Sequence, residues 1–591
     1  MITVKKNRKD NREFKQLKEQ LIGIRQVVKH TKIGNLWTHE ASVRKKLKQL
    51  RQMDGHSIKG YENLVIDYHE LLNEISRRLL EDYNEKNQTQ FKFDEIAQEY
   101  ESEYLSSGIL TALVSSHIPT LMAEAFQTHF PHNPKDEYPE ARALKRKVYL
   151  HLGQTNTGKT YQAIQRLKQS TNGIYLAPLR ILALEIFERL NEEGISCDLL
   201  TGEEEILIEG AHHQSSTVEK LNLDHAYDVA VIDEIQMIGD SQRGAAWTRA
   251  LLGLRCPEIH LCGALNSKEV LVEILKDCED DYEIIEYIRQ VPLEIVKEPF
   301  KLSDAQVGDA FILFSKRKVL ELAKFYRESG IKASVIYGDL PPEVRKMQYH
   351  EFIDHENIIL VSTDAIGMGV NLPIRRIIFM NLQKFDGEEE RWLTSQEVKQ
   401  IAGRAGRKGL YEVGYVCAYG KGYSFLKEKI EMEDPLIEEV VMGPSEAILE
   451  IEGLPLKEKL ALWSTTTIEL EWYRKMDIRD YILILDKIRK YQLSEHDQWR
   501  IMKLPIDVHN EEIIATLLAY IENYFIQDED ELPKPYQKEE SLRTLETYYQ
   551  KVNLYYSFCK NFDISFDLDW VYEERLRVSE RINEFLVNGK Y

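Results

Sequence analysis

The sequence predicts an α/β chain in which two tandem parallel-sheet domains are flanked by all-helical domains at both ends. Three observations carry this. Short apolar runs alternate with amphipathic stretches from Lys145 to about Tyr419; helical periodicity occupies the chain before and after that block; and a glycine-rich loop joins the first apolar run to a helical stretch. At about 100–200 residues per domain, 591 residues suggest about four domains.

The first helical region reads out from Leu64, Tyr68, Leu71, Ile75 and Leu79, whose three- and four-residue steps lay one apolar stripe along a helix. His129–Pro139 holds three prolines and reads as a linker. The apolar runs Val148–Leu152, Ile174–Leu176, Val229–Ile232, Ile259–Cys262, Ala310–Phe314, Ser334–Tyr337, Ile358–Ser362 and Arg376–Met380 each suit a buried strand. Helical periodicity returns after Gly422, as in Leu542, Leu545, Tyr549, Val552 and Tyr556, and the acidic, proline-bearing Gln527–Glu540 reads as a loop. The expected layout is a helical domain over residues 1–128, a linker over 129–144, sheet domains over 145–290 and 291–425, and a helical domain over 426–591.

No apolar run approaches the roughly 20 residues that span a bilayer. Met1–Gln16 lacks the apolar core of a secretory signal, and its acids and lack of serine make it a poor transit peptide. Six scattered cysteines form no CxxC pair, so reduced thiols and a cytoplasmic location are expected. The adjacent His212 and His213 read as a solvated loop rather than as metal ligands. Net charge is −21, which argues against a polyanionic partner, yet residues 1–52 carry 15 Lys and Arg against 4 Asp and Glu. The distribution therefore leaves room for a nucleic-acid channel. The basic arm Lys5–Arg51 suits RNA, a partner protein, or simply a solvated helical face.

Gly153-Gln154-Thr155-Asn156-Thr157-Gly158-Lys159-Thr160 fits the P-loop pattern GxxxxGK[ST], between a strand and a helix as that pattern requires. Its backbone N–H groups would wrap phosphates, Lys159 would neutralise the β- and γ-phosphates, and Thr160 would place its hydroxyl on Mg²⁺. Val229–Ile232 then delivers Asp233 and Glu234 to a strand's C-terminal end, where ligands of parallel sheets sit. Asp233 would hold Mg²⁺ through water and Glu234 would polarise the attacking water. Taken alone, such an acid pair is only a strand's solvated end; following a P-loop, it marks an ATPase.

Further motifs come in helicase order. Asp233-Glu234-Ile235-Gln236 resembles the DExH box of superfamily two helicases. Ser362–Pro373, with Thr363 and Gly367, resembles motif V, and Gln400–Arg407 resembles motif VI. Arg404 and Arg407, three apart, would reach the γ-phosphate together, with Gln400 sensing the nucleotide from the same face. Leu176–Arg180, Thr201–Glu204, Ser216–Glu219 and Phe314–Lys318 resemble the strand-tracking loops. They offer Pro178, Arg180, Thr201, Gly202, Thr217, Ser315, Lys316 and Thr363 as RNA-backbone contacts. Asp386-Gly387 suggests a two-residue hairpin turn joining Phe379–Phe385 to Glu388–Thr394, a candidate wedge for parting duplexes.

The wording YPEARA, GQTNTGKTYQAIQ, APLRILALEIFE, CDLLTGEE, STVEK, DEIQMIGD and QIAGRAGR resembles the Suv-type RNA helicases over about residues 130–425, and more weakly over Leu545–Phe585. That resemblance implies two RecA-like lobes, hydrolysis of ATP or other NTPs with Mg²⁺, 3′-to-5′ movement, unwinding of RNA-containing duplexes, and a 3′ exoribonuclease partner. A DNA-repair translocase and a Ski-type RNA helicase share the GVNLP wording. One departure stands out: where most of the superfamily has Ser-Ala-Thr, this chain has Cys262-Gly263-Ala264-Leu265-Asn266-Ser267, which puts the coupling of hydrolysis to strand separation in doubt.

Overall fold

Every one of the eight apolar runs forms a strand. The structure is a computed structural model that describes residues 2–53, 58–87, 91–117, 130–367, 372–387, 389–407, 409–451, 454–466, 468, 470–537 and 541–589, with side chains described from residue 13 onward. His129 of the expected linker, Met368–Asn371 of the motif V segment and Glu388 of the expected hairpin lie outside the described residues.

The chain divides into two compact units, Met1–Phe130 with Pro444–Thr467, and Pro131–Gly443 with Ile468–Tyr591. In the first unit, helices Ile2–His30, Leu36–Arg51 and Tyr61–Asn87 share a core in which the stripe Leu64, Tyr68, Leu71, Ile75 and Leu79 is buried. Helix Leu456–Thr465 packs on helix Ile109–His117 here, which divides the stretch expected as one C-terminal domain. Glu40 is buried in this core and accepts from Ser76 Oγ (2.6 Å) and the Ile109 N–H (3.0 Å). Burial still raises its carboxyl.

The second unit holds two RecA-like sheets. The first contains β1 (Lys147–Gly153), β2 (Gly173–Ala177), β3 (Cys197–Leu200), β4 (Glu205–Ile206), β5 (His213–Thr217), β6 (Val229–Ile232), β7 (Glu258–Gly263) and β8 (Asp281–Tyr287), in the order β4-β3-β5-β2-β6-β7-β1-β8. All pairs are parallel except β3–β4. The second contains β9 (Leu293–Ile295), β10 (Asp309–Ile312), β11 (Ala333–Ile336), β12 (Ile359–Ser362), β13 (Arg376–Phe379) and, beyond the hairpin β14 (Gln383–Phe385) and β15 (Glu390–Trp392), β16 (Gly414–Ala418). Its order, β11-β12-β10-β13-β16-β9, is wholly parallel. A short pair, β17 (Val440–Met442) and β18 (Tyr473–Lys475), docks on the first lobe, where Thr248 Oγ1 donates to Val441 O at 2.6 Å. Among the described residues no helix is long and apolar enough to cross a membrane.

The reading of His212 and His213 as a solvated loop fits the exposed His212 and is corrected for His213. His213 begins β5 and is buried beside Leu167 O (3.1 Å). β5 is polar in sequence but interior, and Ser215 Oγ meets its need for a partner by donating to Ala183 O at 2.7 Å.

Two buried polar clusters fix the first lobe. Arg146, just before β1, donates to both oxygens of Asp280, just before β8, and to Leu251 O (3.0 Å) and Leu254 O (3.3 Å). Both side chains are almost fully buried. Removing one partner of such a pair strands the other charge, at a cost of about 3–5 kcal/mol. Arg146→Ala is therefore expected to lower stability by about that amount in denaturant titration; a loss under about 1 kcal/mol would show that water reaches Asp280.

The second cluster runs across the sheet beneath the P-loop. The Glu258 carboxylate only accepts, so His260 Nε2 carries the proton that meets it at 2.9 Å. His260 Nδ1 then accepts from His151 Nε2 (2.8 Å), and His151 Nδ1 lies 2.8 Å from Tyr287 Oη, which donates to Gln162 Oε1 at 2.7 Å. Burial pushes His151 down to about 4, with His260 adding to the shift, and burial also lowers His260 against the pull of Glu258. Unfolded imidazoles titrate near 6.5, so between that pH and about 4 the unfolded chain takes up protons that the folded lobe refuses. Stability is expected to fall as pH drops through this window. Thermal melts of His151→Asn should show a flatter acid limb than the unmodified chain; identical limbs would remove the histidine pair as the cause.

Candidate nucleotide and strand-binding site

The P-loop, the acid pair and the strand-tracking loops emerge at the C-terminal ends of parallel strands. β1 feeds the P-loop, and helix Lys159–Lys168 starts at its end. Asn156 (φ 63°) and Gly158 (φ 84°) take left-handed conformations that turn the backbone into a cradle of N–H groups. Lys159 Nζ reaches across the loop mouth, 3.4 Å from Gly153 O and 3.3 Å from Gln154 O, and Thr157 Oγ1 closes the loop on Gln154 O at 3.0 Å.

β6 delivers Asp233 beneath this cradle. Its Oδ1 accepts from Thr160 Oγ1 (3.1 Å) and the Glu234 N–H (3.0 Å), and its Oδ2 from Tyr175 Oη (2.9 Å). Burial, followed by the neighbouring Glu234 charge, pushes the Asp233 carboxyl up to about 6 against the pull of Tyr175 and Lys159. A buried acid short of positive charge, with a hydroxyl oxygen at 3.1 Å, is a hard-oxygen donor set that fits a divalent cation. Glu234 sits at φ 49°, a conformation that costs a non-glycine residue about 1–3 kcal/mol and is kept at functional sites. Gln236 Nε2 donates to Glu234 Oε2, and its Oε1 accepts the Ala264 N–H at 3.0 Å.

The second lobe faces this cradle closely. Helix Ser395–Ala402, opened by a capping box of Thr394 and Glu397, presents Gln400. The turn after it touches the P-loop: a Cβ on Gly403 would lie 2.8 Å from Thr155 Cβ, so only glycine fits. Asn156 Nδ2 donates to Gly406 O at 3.1 Å. Arg404 Nε donates to Gly367 O at 3.1 Å. Burial raises the Glu185 carboxyl of the first lobe, and the charges of Arg189, Arg404 and Arg407 offset that rise, which puts both motif VI guanidiniums within electrostatic reach of the facing lobe. A cavity of about 1140 Å³, lined among others by Gln154, Lys159, Glu234, Arg289 and Gln400, lies between the lobes.

Sequence reasoning missed Arg289. Its guanidinium donates to Gly403 O (2.7 Å), to Ala405 O and, at 3.5 Å, to Thr155 O, and so ties the P-loop to the facing turn. The surrounding residues YIRQV carry no motif. Tyr175, inside β2, was also missed, because a tyrosine in an apolar strand reads as core.

The strand-tracking loops line up along one face, several of them against helices Leu542–Asn561 and Leu568–Asn588. Pro178, Thr201, Thr217 and Thr363 are buried, and Ser315 is half-buried. Gly202 O accepts from Ser557 Oγ at 3.1 Å. Arg180 and Lys316, expected at the RNA backbone, are instead engaged with protein carboxylates. Arg180 pairs with Glu203 (2.7 Å), Glu204 (3.0 Å) and Glu343 (2.9 Å), and meets Tyr549 Oη at 3.0 Å. Lys316 pairs with Glu546, which also accepts from Tyr337 Oη at 2.6 Å.

The hairpin is present with a different turn. Its strands pair Phe385 with Glu390 and Gln383 with Trp392, which centres the pairing one residue beyond where an Asp386-Gly387 turn would set it. Asp386 takes the Glu389 N–H on its side chain (3.0 Å) while its own N–H donates to Glu389 O (3.1 Å), which extends the pairing by one step towards the tip. Phe385 is 63% exposed at the tip. At the base, burial would raise Glu397, but Arg391, Lys384 and the Thr394 N–H outweigh it and hold the carboxyl at about 2. That clamp joins the hairpin to the helix bearing Gln400.

Residues 134–287 match the DEXQ-box helicase domain of Suv3, 292–409 the helicase conserved C-terminal domain, and 542–588 the ATP-dependent RNA helicase SUV3 C-terminal domain. The chain is 46% identical over 318 residues to the mitochondrial DExH-box ATP-dependent RNA helicase DExH16 of Arabidopsis thaliana, covering 53% of this chain and 56% of that protein. It is 34% identical over 461 residues to DExH18, also mitochondrial and from the same plant, covering 73% and 58%. It is 38% identical over 406 residues to the mitochondrial ATP-dependent RNA helicase SUV3 of Oryza sativa subsp. japonica, covering 66% and 70%. The matches thus span little more than half the length of the two Arabidopsis proteins. The expected cytoplasmic location is overturned by these relatives, all named mitochondrial, which point to mitochondria instead. All six cysteines are free and buried, which does not distinguish one compartment from another. Similarity to the rice protein at this level, over this much of its length, settles the kinship: the chain belongs to the SUV3 family of ATP-dependent RNA helicases.

Proposed function

We propose that the chain hydrolyses ATP, and other NTPs, between its two RecA-like lobes (residues 145–290 and 291–425) and uses the resulting lobe movements to travel along single-stranded RNA and unwind duplexes. The observation that carries this reading is the meeting of the P-loop with the Gln400–Arg407 turn across a shared cavity, with Thr155 against Gly403 and Asn156 on Gly406 O.

In this reading Gly153–Gly158 hold the β- and γ-phosphates on backbone N–H groups and Lys159 neutralises them. Asp233 and Thr160 hold Mg²⁺, which when bound would supply positive charge to the phosphate oxygens. Glu234, kept in place by Gln236, orients a water in line with the γ-phosphate and accepts its proton. Arg404 and Arg407 face the charge that builds on the transferring phosphoryl group, with Gln400 against the same group and Gly367 beside it. Pro178, Arg180, Thr201, Gly202, Thr217, Ser315, Lys316 and Thr363 meet the sugar-phosphate backbone. Arg180 and Lys316 would first have to exchange their carboxylate partners for phosphates, which offer the same paired acceptors. The hairpin β14–β15 parts the duplex with Phe385 at its tip. Movement 3′-to-5′ would feed a 3′ exoribonuclease partner.

Lys159→Ala and Glu234→Gln are each expected to cut RNA-stimulated phosphate release by about 10²-fold or more; turnover near that of the unmodified chain in either would overturn the site assignment. Deleting residues 386–389 should leave RNA-stimulated hydrolysis intact and abolish strand displacement, because the Glu397 clamp at the hairpin base survives. Undiminished displacement would remove the wedge.

A further inference from the structure

We propose that the segment Met432–Glu439, which leaves the second lobe after helix Tyr423–Glu431, is a coupling strap. Asn266 grips it, and it links the state of Glu234 to the position of the helix that bears Gln400. The inference rests on the helicase reading and adds the element that would do the work of the missing Ser-Ala-Thr.

The geometry is a continuous relay. Gln236 holds Glu234 with its amide nitrogen and the Ala264 N–H with its amide oxygen. Gly263 makes room for this, since a Cβ there would lie 2.7 Å from Gln236 Oε1. Two residues beyond Ala264, Asn266 is almost fully buried and holds the strap twice. Its Nδ2 donates to Pro435 O at 3.0 Å, and its backbone O accepts the Ile437 N–H at 3.0 Å. The strap's other anchor is in the second lobe: Lys399 Nζ lies 3.1 Å from Asp434 and donates to Met432 O. Lys399 directly precedes Gln400 on the same helix.

Towards its far end the strap is also held to the first lobe, by Ile437 packed on the core there and by Glu439 at 3.7 Å from Arg474. It forms no helix or strand, and only Asp434 and Ile437 are half-buried. Beyond it the chain is firmly tied to the first lobe, through Val441 O on Thr248 and through Arg474 Nη2 on Gly239 O at 2.7 Å. A segment fixed to one lobe at its far end, and to the other at Lys399, must change length or slip when the lobes separate. Asn266 is the point at which that slip is sensed next to the hydrolysis machinery. Residues 433–439 also line the cavity that holds Lys159 and Glu234, so a shift of the strap reshapes that space.

Asn266 is assigned as a positioning residue, and the test separates coupling from chemistry. Asn266→Ala removes the side-chain grip. Asn266→Asp keeps the shape but sets an acceptor against the Pro435 carbonyl. Inserting two glycines between Glu433 and Asp434 slackens the strap without touching Asn266. In the full chain, at a temperature where circular dichroism shows each variant folded, each should keep its RNA-free ATPase rate and its KM for ATP within about twofold, while RNA duplex displaced per ATP hydrolysed falls about tenfold or more. Displacement per ATP equal to that of the unmodified chain in all three would overturn the strap. So would a rise in KM with loss of RNA-free turnover in the Asn266 variants alone, which would make Asn266 a wall of the nucleotide site. If the unmodified chain releases no phosphate with RNA, the helicase reading itself fails and the strap falls with it.

Discussion

The interaction on which the rest depends is the close meeting of the P-loop with the turn that follows Gln400. Three backbone carbonyls, one on the P-loop and two on the facing turn, accept from the single guanidinium of Arg289. Burial lowers the pKa of that guanidinium, and the carbonyl dipoles around it hold its charge in place. The arrangement is polar, directional and reversible. An apolar seam of the same area would resist opening, whereas carbonyl hydrogen bonds can be exchanged for water at a small net cost, about 1 kcal/mol each. A motor that must close on a nucleotide and reopen after hydrolysis needs an interface of that kind.

The C-terminal helices tie the two lobes together away from that cleft. Arg180 of the first lobe, Glu343 of the second and Tyr549 of helix Leu542–Asn561 meet in one buried network, in which Tyr549 Oη donates to Glu343 at 2.8 Å and accepts from Arg180. Burial works against the Arg180 charge, but Tyr549 and the carboxylates of Glu343, Glu203 and Glu204 more than offset it. This network joins the two lobes to that helix; in the proposed RNA complex Arg180 would leave it for a phosphate, while Tyr549 keeps its bond to Glu343. Lys346–Glu188 adds a second, more exposed bridge between the lobes. In the proposed cycle the cleft would open at the nucleotide and the strap would follow.

The sequence made the motor legible because its chemistry is local. The P-loop, the acid pair and the Gln400–Arg407 helix each need fixed residue types at fixed short spacings, and parallel strands buried on both faces show up as plain apolar runs. What stayed hidden was non-local or polar. β5 (HQSST) is interior with almost no apolar residue, and β8 (DYEIIEY) is an edge strand, so neither gives the apolar signal of a central strand. Arg289 acts through carbonyl groups about 115 residues away, and no local pattern can signal such a partner. Arg180 and Lys316 have the residue type expected of phosphate contacts, but the same charge serves equally well for carboxylates. Only the fold shows that Glu203, Glu343 and Glu546 are there. Unpaired thiols do not distinguish compartments, so the location read from them was wrong.

The central claim is that one triphosphate is clasped by both lobes at once. The most direct measurement is a structure of the full chain with a non-hydrolysable ATP analogue, Mg²⁺ and a short single-stranded RNA. The account predicts the γ-phosphate within hydrogen-bonding reach of Lys159 on one side and of Arg404 or Arg407 on the other. A nucleotide bound to the first lobe alone, with both arginines facing solvent while RNA is bound, would contradict it.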